Sequence, residues 1–302
     1  MSSDRWRPPQ RPDGEHEVRG LAFRDEQAEQ NEQDERAEAG AEETDRGLTA
    51  ARRPPGPPVR RLTWLKLLFM PVLLAVVVGA TLIWITNTNL DSISRNSLAH
   101  NATRTALWQH IQLTAISTFF VLIIAIPLGI ALTRSALRRA SPYVVALANI
   151  GQATPAIGLL ALLVIGLGTG REPALIGITV YAVLPVLSNT IAGLRATDPG
   201  LIDAARGIGM SAPGVLFRVE LPLAVPLILA GVRTALVLNV GTATLATFGG
   251  GGGLGDLINA GITNQRMPVL ILGSVLTVAL ALLVDWLASI AEVLLRPRGL
   301  ET

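Results

Sequence analysis

The chain offers few residues whose type and spacing could support catalysis. It contains no cysteine, which excludes a disulfide framework and a thiolate metal site. Its three histidines, His16, His100 and His110, match no zinc-binding spacing. No apolar segment carries a Ser/Lys pair, paired aspartates or a His-Glu-x-x-His motif. We therefore expect a protein that is not an enzyme, with no catalytic residue, no metal and no cofactor bound by this chain.

The glycine run at 249–253, followed by Leu254, Gly255 and Asp256, has the composition of a phosphate-binding loop. Such a loop also needs a Lys-Ser or Lys-Thr step, which does not follow here. The carboxylate of Asp256 would also repel a phosphate. We therefore expect no nucleotide at this run and interpret it as a turn.

Arg233 and Asp285 are ionisable residues within two strongly apolar segments. Each lies about 16 Å along its helix from the same side of the membrane, at about 1.5 Å of rise per residue. A charge inside a bilayer is costly unless it is paired or hydrated. We predict an Arg233–Asp285 ion pair between neighbouring helices. The alternative is that each side chain reaches water or headgroups separately.

Composition separates an N-terminal tail from the rest of the chain. Half of the 302 residues are hydrophobic and only 16% are charged. Residues 1–61 hold 11 bases against 14 acids, net −3, and the remaining residues carry a net charge of +5. The tail has too few large apolar residues to form a core, and a Pro-Pro-Gly-Pro-Pro stretch at 54–58 predicts a stiff spacer. We predict that residues 1–61 are disordered.

Apolar segments dominate the rest of the chain, and each is long enough for a spanning helix of about 17–25 residues. Buried helices of a soluble protein are the alternative for any one of them, but not for the whole set. The sequence thus predicts an all-α integral membrane protein with about six transmembrane helices. The segments lie at 66–86, 111–133, 142–167, 173–194, 223–247 and 268–295.

Basic residues in the short connections predict the orientation of these spans. They favour the cytoplasmic side, and all four groups share one side if both termini are cytoplasmic. They lie between apolar segments and not in a patch interleaved with aromatic residues, so nucleic-acid binding is not expected. The groups are Arg52, Arg53, Arg60, Arg61 and Lys66; Arg134, Arg138 and Arg139; Arg195, Arg206 and Arg218; and Arg296 and Arg298.

A polar insert at 197–222 separates the fourth and fifth apolar segments. Asp198 can cap a short helix that has Pro199 at its first position. Gly209 can end this helix in a left-handed conformation, and Ser211 can cap a second short helix that runs to Glu220. The pattern predicts a cytoplasmic helix–bend–helix knob with a small-residue face.

The insert resembles the EAA loop of binding-protein-dependent ABC importer permeases. That motif reads Glu-Ala-Ala, three residues, Gly, nine residues, Ile, one residue and Leu-Pro. Asp203 replaces the glutamate and Val219 replaces the isoleucine. The resemblance extends over about 108–300 and is strongest to permeases for glycine betaine, carnitine and choline, through the segments 110–113, 126–130, 208–210, 219–223, 239–246 and 295–300. The matching loop residues are Asp203, Ala204, Ala205, Gly209, Val219, Leu221 and Pro222.

The resemblance implies the type I ABC importer permease fold and a set of partners. The loop would dock on a separate ABC ATPase subunit that binds ATP-Mg, and an extracytoplasmic substrate-binding protein would deliver the solute. A second permease, identical or related, would complete the path in the cytoplasmic (inner) membrane, in contact with lipid. The expected domains are the tail at 1–61, an extra N-terminal transmembrane helix and linker at 62–103, the importer domain at 104–295 and a cytoplasmic C-terminal tail at 296–302.

Polar residues within the spans are candidates for the translocation path, although interhelical hydrogen bonds are an equally ordinary use for them. The rival functions are an ABC permease for another small solute, such as an amino acid, and an ion-coupled secondary transporter. A secondary transporter would show inverted repeats and buried carboxylates, of which the spans offer little beyond Asp285. The path candidates are Asn149, Gln152, Asn189, Asn239 and Thr242.

Overall fold

Helices account for nearly all regular structure in the computed structural model, which describes residues 64–295. The predicted tails at 1–61 and 296–302 lie outside the described residues. A π-helical turn, Leu216–Glu220, precedes the helix at Leu221–Ala243, and a 3₁₀ helix, Thr244–Gly249, follows it. The α-helices are α1 (Trp64–Thr86), α2 (Ser92–Ser97), α3 (His100–Thr133), α4 (Ser141–Ala153), α5 (Ala156–Leu167), α6 (Arg171–Arg195), α7 (Pro199–Gly207), α8 (Ala212–Val215), α9 (Leu221–Ala243), α10 (Leu254–Thr263) and α11 (Met267–Leu295).

Five helices are long and apolar enough to cross a membrane, and α4 with α5 makes a sixth crossing if the two count as one span. The prediction of an all-helical membrane protein with about six spans is confirmed. Most boundaries agree with the apolar segments, although α3 begins at His100, well before the expected start at 111. Because α3 is 34 residues long, part of it extends beyond the apolar layer.

The expected third span is not one straight helix. It consists of α4 and α5, which meet at an angle of 95°. Pro155 has no N–H to continue the helix, and the residue before a proline is forced out of the helical region. Thr154 is accordingly extended, at φ −66° and ψ 133°. In contrast, Pro127 and Pro185 lie inside α3 and α6, which continue through them.

The second half of the polar insert is joined directly to the fifth span. The sequence predicted a separate short helix that ends at Glu220. Instead, α8, the π-helical turn and α9 follow one another without a break, and a continuous helical segment runs from Ala212 to Gly249. Since a helix transmits displacement along its axis, a force on α8 acts on α9.

The core lies where α3, α6 and α9 pack together. Small residues let these helices approach closely, as is usual in membrane bundles. A Cβ atom on Gly129 of α3 would lie 2.7 Å from the Thr190 side chain of α6. One on Gly231 of α9 would lie 2.7 Å from Asn189 of α6. The main buried cluster contains Val121, Ala125, Leu132, Ala182, Val186, Leu187, Ile191 and Ala235.

Helix α1 packs against α11 at the edge of this bundle. Of its side chains described from 68 to 86, only Ile85 is buried. The helix therefore exposes an apolar surface of the kind that lipid covers.

Candidate coupling loop and buried polar sites

The first half of the insert is a short helix with defined ends. The Asp198 carboxylate accepts a hydrogen bond from the Gly200 N–H at 2.8 Å, as predicted for a helix cap. At the other end Gly209 has φ +88°, and the Met210 N–H donates to the Ala205 carbonyl at 3.1 Å. This pattern is a Schellman motif, which favours glycine because of the positive φ. A Cβ atom on Gly209 would have no protein atom within 4 Å. Backbone conformation, and not crowding within this chain, thus requires glycine here.

The second half begins at Ser211, whose hydroxyl accepts a hydrogen bond from the Gly214 N–H at 3.3 Å. It then enters the π-helical turn and α9.

The motif residues do not share one exposed face. Asp203, Ala204 and Gly209 are exposed, whereas Ala205 is buried at 7% exposure. The remaining three, Val219, Leu221 and Pro222, are half-buried near the start of α9. The two alanines, expected on one small-residue face, therefore point in different directions, and only Ala204 is open to a partner.

Three large apolar side chains on this loop are exposed, and none of them was among the predicted site residues. Leu201 is 51% exposed, Phe217 is 66% exposed and Ile208 is 80% exposed. A group of exposed apolar side chains on a polar loop is typical of a protein-binding surface. Their apolar character within a polar insert was the available signal.

The structure brings Arg233 and Asp285 together. Arg233 donates to both carboxylate oxygens of Asp285, at 2.5 Å from Nε and 2.6 Å from Nη2. Glu292, further along α11, lies 3.9 Å from Arg233 Nη1. The pair links α9 to α11 with the two-pronged geometry that makes arginine–carboxylate pairs strong.

The five polar candidates for the translocation path do not line one cavity. Asn149 is exposed on α4 and Gln152 is half-buried. Asn189 and Thr242 each donate at 2.8 Å to a carbonyl of their own helix. Only Thr242 borders the small cleft between α5, α6 and α9, where Tyr181 is its polar neighbour.

Asn239 belongs to a buried polar seam between α3 and α9. Its side chain is fully buried, and Nδ2 donates to Thr118 Oγ1 at 2.8 Å. The seam continues on α3 through Thr114 and His110, which are also buried. Asn239 Oδ1 and Thr114 Oγ1 have no hydrogen-bond partner among the described residues. The observed contact of Asn239 is thus an interhelical hydrogen bond.

The glycine-rich run is held by α3, and it is not a loose turn. The Gly253 N–H donates to Gln109 Oε1 at 3.2 Å, and the Leu254 N–H donates to His110 Nδ1 at 3.3 Å. The other ring nitrogen of His110 lies 3.0 Å from the Val240 carbonyl. Since Nδ1 accepts, Nε2 carries the proton and donates to that carbonyl. His110, which matched no zinc-binding spacing, is therefore a bridge between α9 and the start of α10.

Backbone conformation and packing both favour glycine in and beside this run, since Gly250, Gly252 and Gly253 have positive φ. A Cβ atom on Gly255 would lie 2.0 Å from the Thr244 carbonyl oxygen, and one on Gly252 would lie 2.7 Å from Gln109 Oε1. The Gly249 carbonyl accepts from the Gly170 N–H at 2.7 Å, which ties the run to the connection between α5 and α6. Between residues 64 and 295, no cluster of three His, Asp or Glu residues could hold a metal ion.

Comparisons with known proteins agree with this architecture. The family described as "Binding-protein-dependent transport system inner membrane component" matches residues 125–297. The chain is 38% identical over 194 residues to the choline transport system permease protein OpuBB of Bacillus subtilis, which covers 64% of this chain and 88% of that protein. It is 41% identical over 179 residues to the osmoprotectant import permease protein OsmY of Salmonella typhimurium, which covers 59% of this chain and 76% of that protein.

A solved structure of the MetNI methionine ABC transporter in an inward-facing conformation has the same fold. The TM-score is 0.57 at 25% sequence identity, over 65% of this chain and 96% of that chain. The predicted ABC importer permease fold is thereby confirmed. The family match covers more than half of the chain, and the chain therefore belongs to the binding-protein-dependent transport system inner membrane components, as a multi-pass, non-catalytic permease subunit of an ABC importer.

Proposed function

We propose that this permease forms the translocation path for a compatible solute with a quaternary ammonium group, such as glycine betaine, carnitine, choline or proline betaine. Relatives whose names specify choline, carnitine and glycine betaine are 37–38% identical to the chain. The amino-acid transporters among the solved structures are 25% and 17% identical. The identity levels therefore favour an osmoprotectant over an amino acid.

The solute is tested with the binding protein that purifies with this permease. We expect that protein to bind choline, glycine betaine or carnitine, and to bind methionine and histidine much more weakly. Uptake by the reconstituted complex should show the same order. Preference for an amino acid in both assays would refute this choice of solute and leave the family membership intact.

We further propose that the loop at 197–222 couples this chain to a separate ATPase, which binds ATP-Mg. The observation that carries this proposal is a capped knob with three exposed apolar side chains, joined without a break to α9. Closure of two ATPases would displace two such knobs, one on each permease of an identical or related pair. Because α8 is continuous with α9, this displacement would be transmitted directly to α9.

The docking surface is tested by Ile208→Asp. Ile208 is 80% exposed, so a charge should not disturb folding, but it should abolish co-purification of the ATPase. Ile262→Asp is the matched control, because Ile262 is 60% exposed on α10, at the opposite end of the bundle. Retention of the ATPase by Ile208→Asp would contradict docking through this face.

Gly209 provides a second test of the loop. Gly209→Trp introduces a bulky side chain at a φ of +88° and should prevent docking. Gly207→Ala is its control, since Gly207 is the last residue of α7, lacks a positive φ and has no atom within 4 Å of the position that a Cβ would take. We expect the ATPase to be lost from the first variant and kept by the second. Transport by Gly209→Trp at the wild-type rate would count against coupling through the loop.

The loop and both termini are proposed to be cytoplasmic. Arg134 at the end of α3 contacts Glu220 at the base of the insert. The basic group that contains Arg134 and the basic group that contains Arg218 therefore lie at the same end of the bundle. Because the chain has no cysteine, single substitutions report accessibility without a background. In intact cells an impermeant maleimide should label Asn264→Cys, and it should label Ser211→Cys only after permeabilisation. The reverse pattern would overturn the orientation.

A further inference from the structure

Glu220 is a buried carboxylate at the junction between the insert and α9. Its residue exposure is 5%, although it is charged and belongs to the polar insert. Arg134, the residue that follows α3, donates from Nη1 to Glu220 Oε1 at 3.1 Å and from Nη2 to Oε2. Buried carboxylates are rare unless paired, and a two-pronged arginine contact is the strongest pairing available.

The backbone on the Glu220 side is shaped to make this contact. Residues Leu216–Glu220 form a π-helical turn, in which the Leu221 N–H donates to the Leu216 carbonyl five residues earlier. The extra residue in the turn places Glu220 on the same buried face as Val215, while Phe217 stays exposed. Single π-helical turns within α-helices are uncommon and often mark functional sites.

The arginine is also oriented before it reaches Glu220. Its Nε and Nη2 donate to Thr133 Oγ1 at 3.2 and 3.0 Å, and that hydroxyl donates to the Ile130 carbonyl at 2.7 Å. The guanidinium of an arginine is always charged in a protein, and the hydrogen bond to Glu220 raises the pKa of Arg134 further. A fixed donor therefore faces a fixed acceptor.

We infer that Arg134 and Glu220 are positioning residues that transmit movement of the coupling loop to α3. This inference rests on the proposed coupling function. The knob continues directly into α9, but α3 is not continuous with it and can follow it only through noncovalent contacts. The Arg134–Glu220 contact joins the base of the knob to the end of α3, 86 residues apart in the chain. Displacement of the loop would then move α3 and α9 together.

The unequal exposure of the two side chains predicts an unequal effect of single substitutions. The Glu220 side chain is 6% exposed and that of Arg134 is 37% exposed. Arg134→Gln leaves a carboxylate buried without a cation, whereas Glu220→Gln leaves an arginine that reaches water. We expect Arg134→Gln to lower the yield of assembled permease more than Glu220→Gln does. The double variant Arg134→Gln with Glu220→Gln should recover that yield, because no unpaired charge remains buried.

Coupling is measured separately from assembly, as solute transported per ATP hydrolysed by the reconstituted complex. Coupling between two sites of one protein typically changes a binding affinity by about 5- to 150-fold. We expect the double variant to retain the ATPase on purification and to lose about fivefold in the ratio, the low end of this range. Arg134→Lys keeps the positive charge but cannot donate from two nitrogens to both carboxylate oxygens, so it should give an intermediate ratio of solute transported per ATP hydrolysed.

The matched control is the Asp91–Arg266 pair at the opposite end of the bundle. Its N–O separation is 2.9 Å and both side chains are about 40% exposed. The double variant Asp91→Asn with Arg266→Gln should leave the ratio unchanged. An equal loss in this control would overturn the inference, since any ion pair would then have the same effect.

The outcomes separate this inference from the function on which it rests. A wild-type ratio in the Arg134→Gln, Glu220→Gln double variant, with the ATPase bound, would overturn the positioning role alone. Failure of the wild-type chain to retain any ATPase would overturn the coupling function. If the double variant does not assemble, Glu220→Gln decides the question by the same ratio.

Discussion

Thr118 and Thr114 give the sharpest test of the buried polar seam. They lie one helical turn apart on α3, face α9 and are 7% and 5% exposed. Thr118 Oγ1 accepts a hydrogen bond from Asn239 at 2.8 Å, whereas Thr114 Oγ1 has no partner among the described residues. Thr→Val keeps the shape of the side chain and removes only the hydroxyl. The same substitution at the two positions therefore isolates one hydrogen bond.

The expected difference follows from what each substitution leaves unpaired. Thr118→Val leaves the Asn239 side-chain N–H without its acceptor, and the Asn239 oxygen already lacks a partner among the described residues. An unmet buried polar group costs about 1–3 kcal/mol, and interhelical hydrogen bonds in membranes contribute about 0.6 kcal/mol on average. We therefore expect Thr118→Val to lower the free energy of unfolding by about 1–2 kcal/mol. Thr114→Val removes a buried hydroxyl that has no partner within 64–295, so stability should be unchanged or slightly higher.

The free energy of unfolding is measured by SDS titration of the purified permease in detergent, followed by circular dichroism. A double-mutant cycle of Thr118→Val with Asn239→Leu supplies the coupling energy of the pair, about 1 kcal/mol if the hydrogen bond forms. Equal losses for Thr114→Val and Thr118→Val would refute the argument. A coupling energy of zero would show that the two side chains do not interact.

Three further predictions concern other contacts within the bundle. Gly255→Ala should prevent folding, because the new Cβ would lie 2.0 Å from a backbone carbonyl oxygen. Gly241→Ala is the control and should express normally, because a Cβ at that position would have no atom within 4 Å. Similar yields of the two variants would contradict this packing. His110→Ala leaves two backbone groups unpaired and should cost about 2–4 kcal/mol in the free energy of unfolding, and a loss below about 0.5 kcal/mol would disprove the bridge. Arg233→Gln should lower the free energy of unfolding by about 2–3 kcal/mol, less than for a fully buried pair because both side chains are partly exposed. Adding Asp285→Asn should restore part of this loss. A double variant that is less stable than Arg233→Gln alone would rule out the pair as a stabilising contact.

Much of the local structure was predictable from sequence. The cap at Asp198, the left-handed Gly209 and the cap at Ser211 depend on residues within a few positions of one another. Such interactions are local, and the same side chain makes them in almost any context. The predicted third span is present as two helices bent at 95°, and Pro155 carried the signal for the break.

The sequence by itself determined the membrane class, the approximate spans and the helix caps of the polar insert, because apolar length, basic loops and helix caps act over short distances. Only the tertiary structure decided which polar groups meet. Glu220 meets Arg134, Asn239 meets Thr118 and His110 meets Leu254, across 86 to 144 residues. Each residue turns an α-helix by about 100°, so a small change in the rotation of one helix selects different partners on its neighbour. Sequence spacing does not specify that rotation, and the packing of α3, α6 and α9 does.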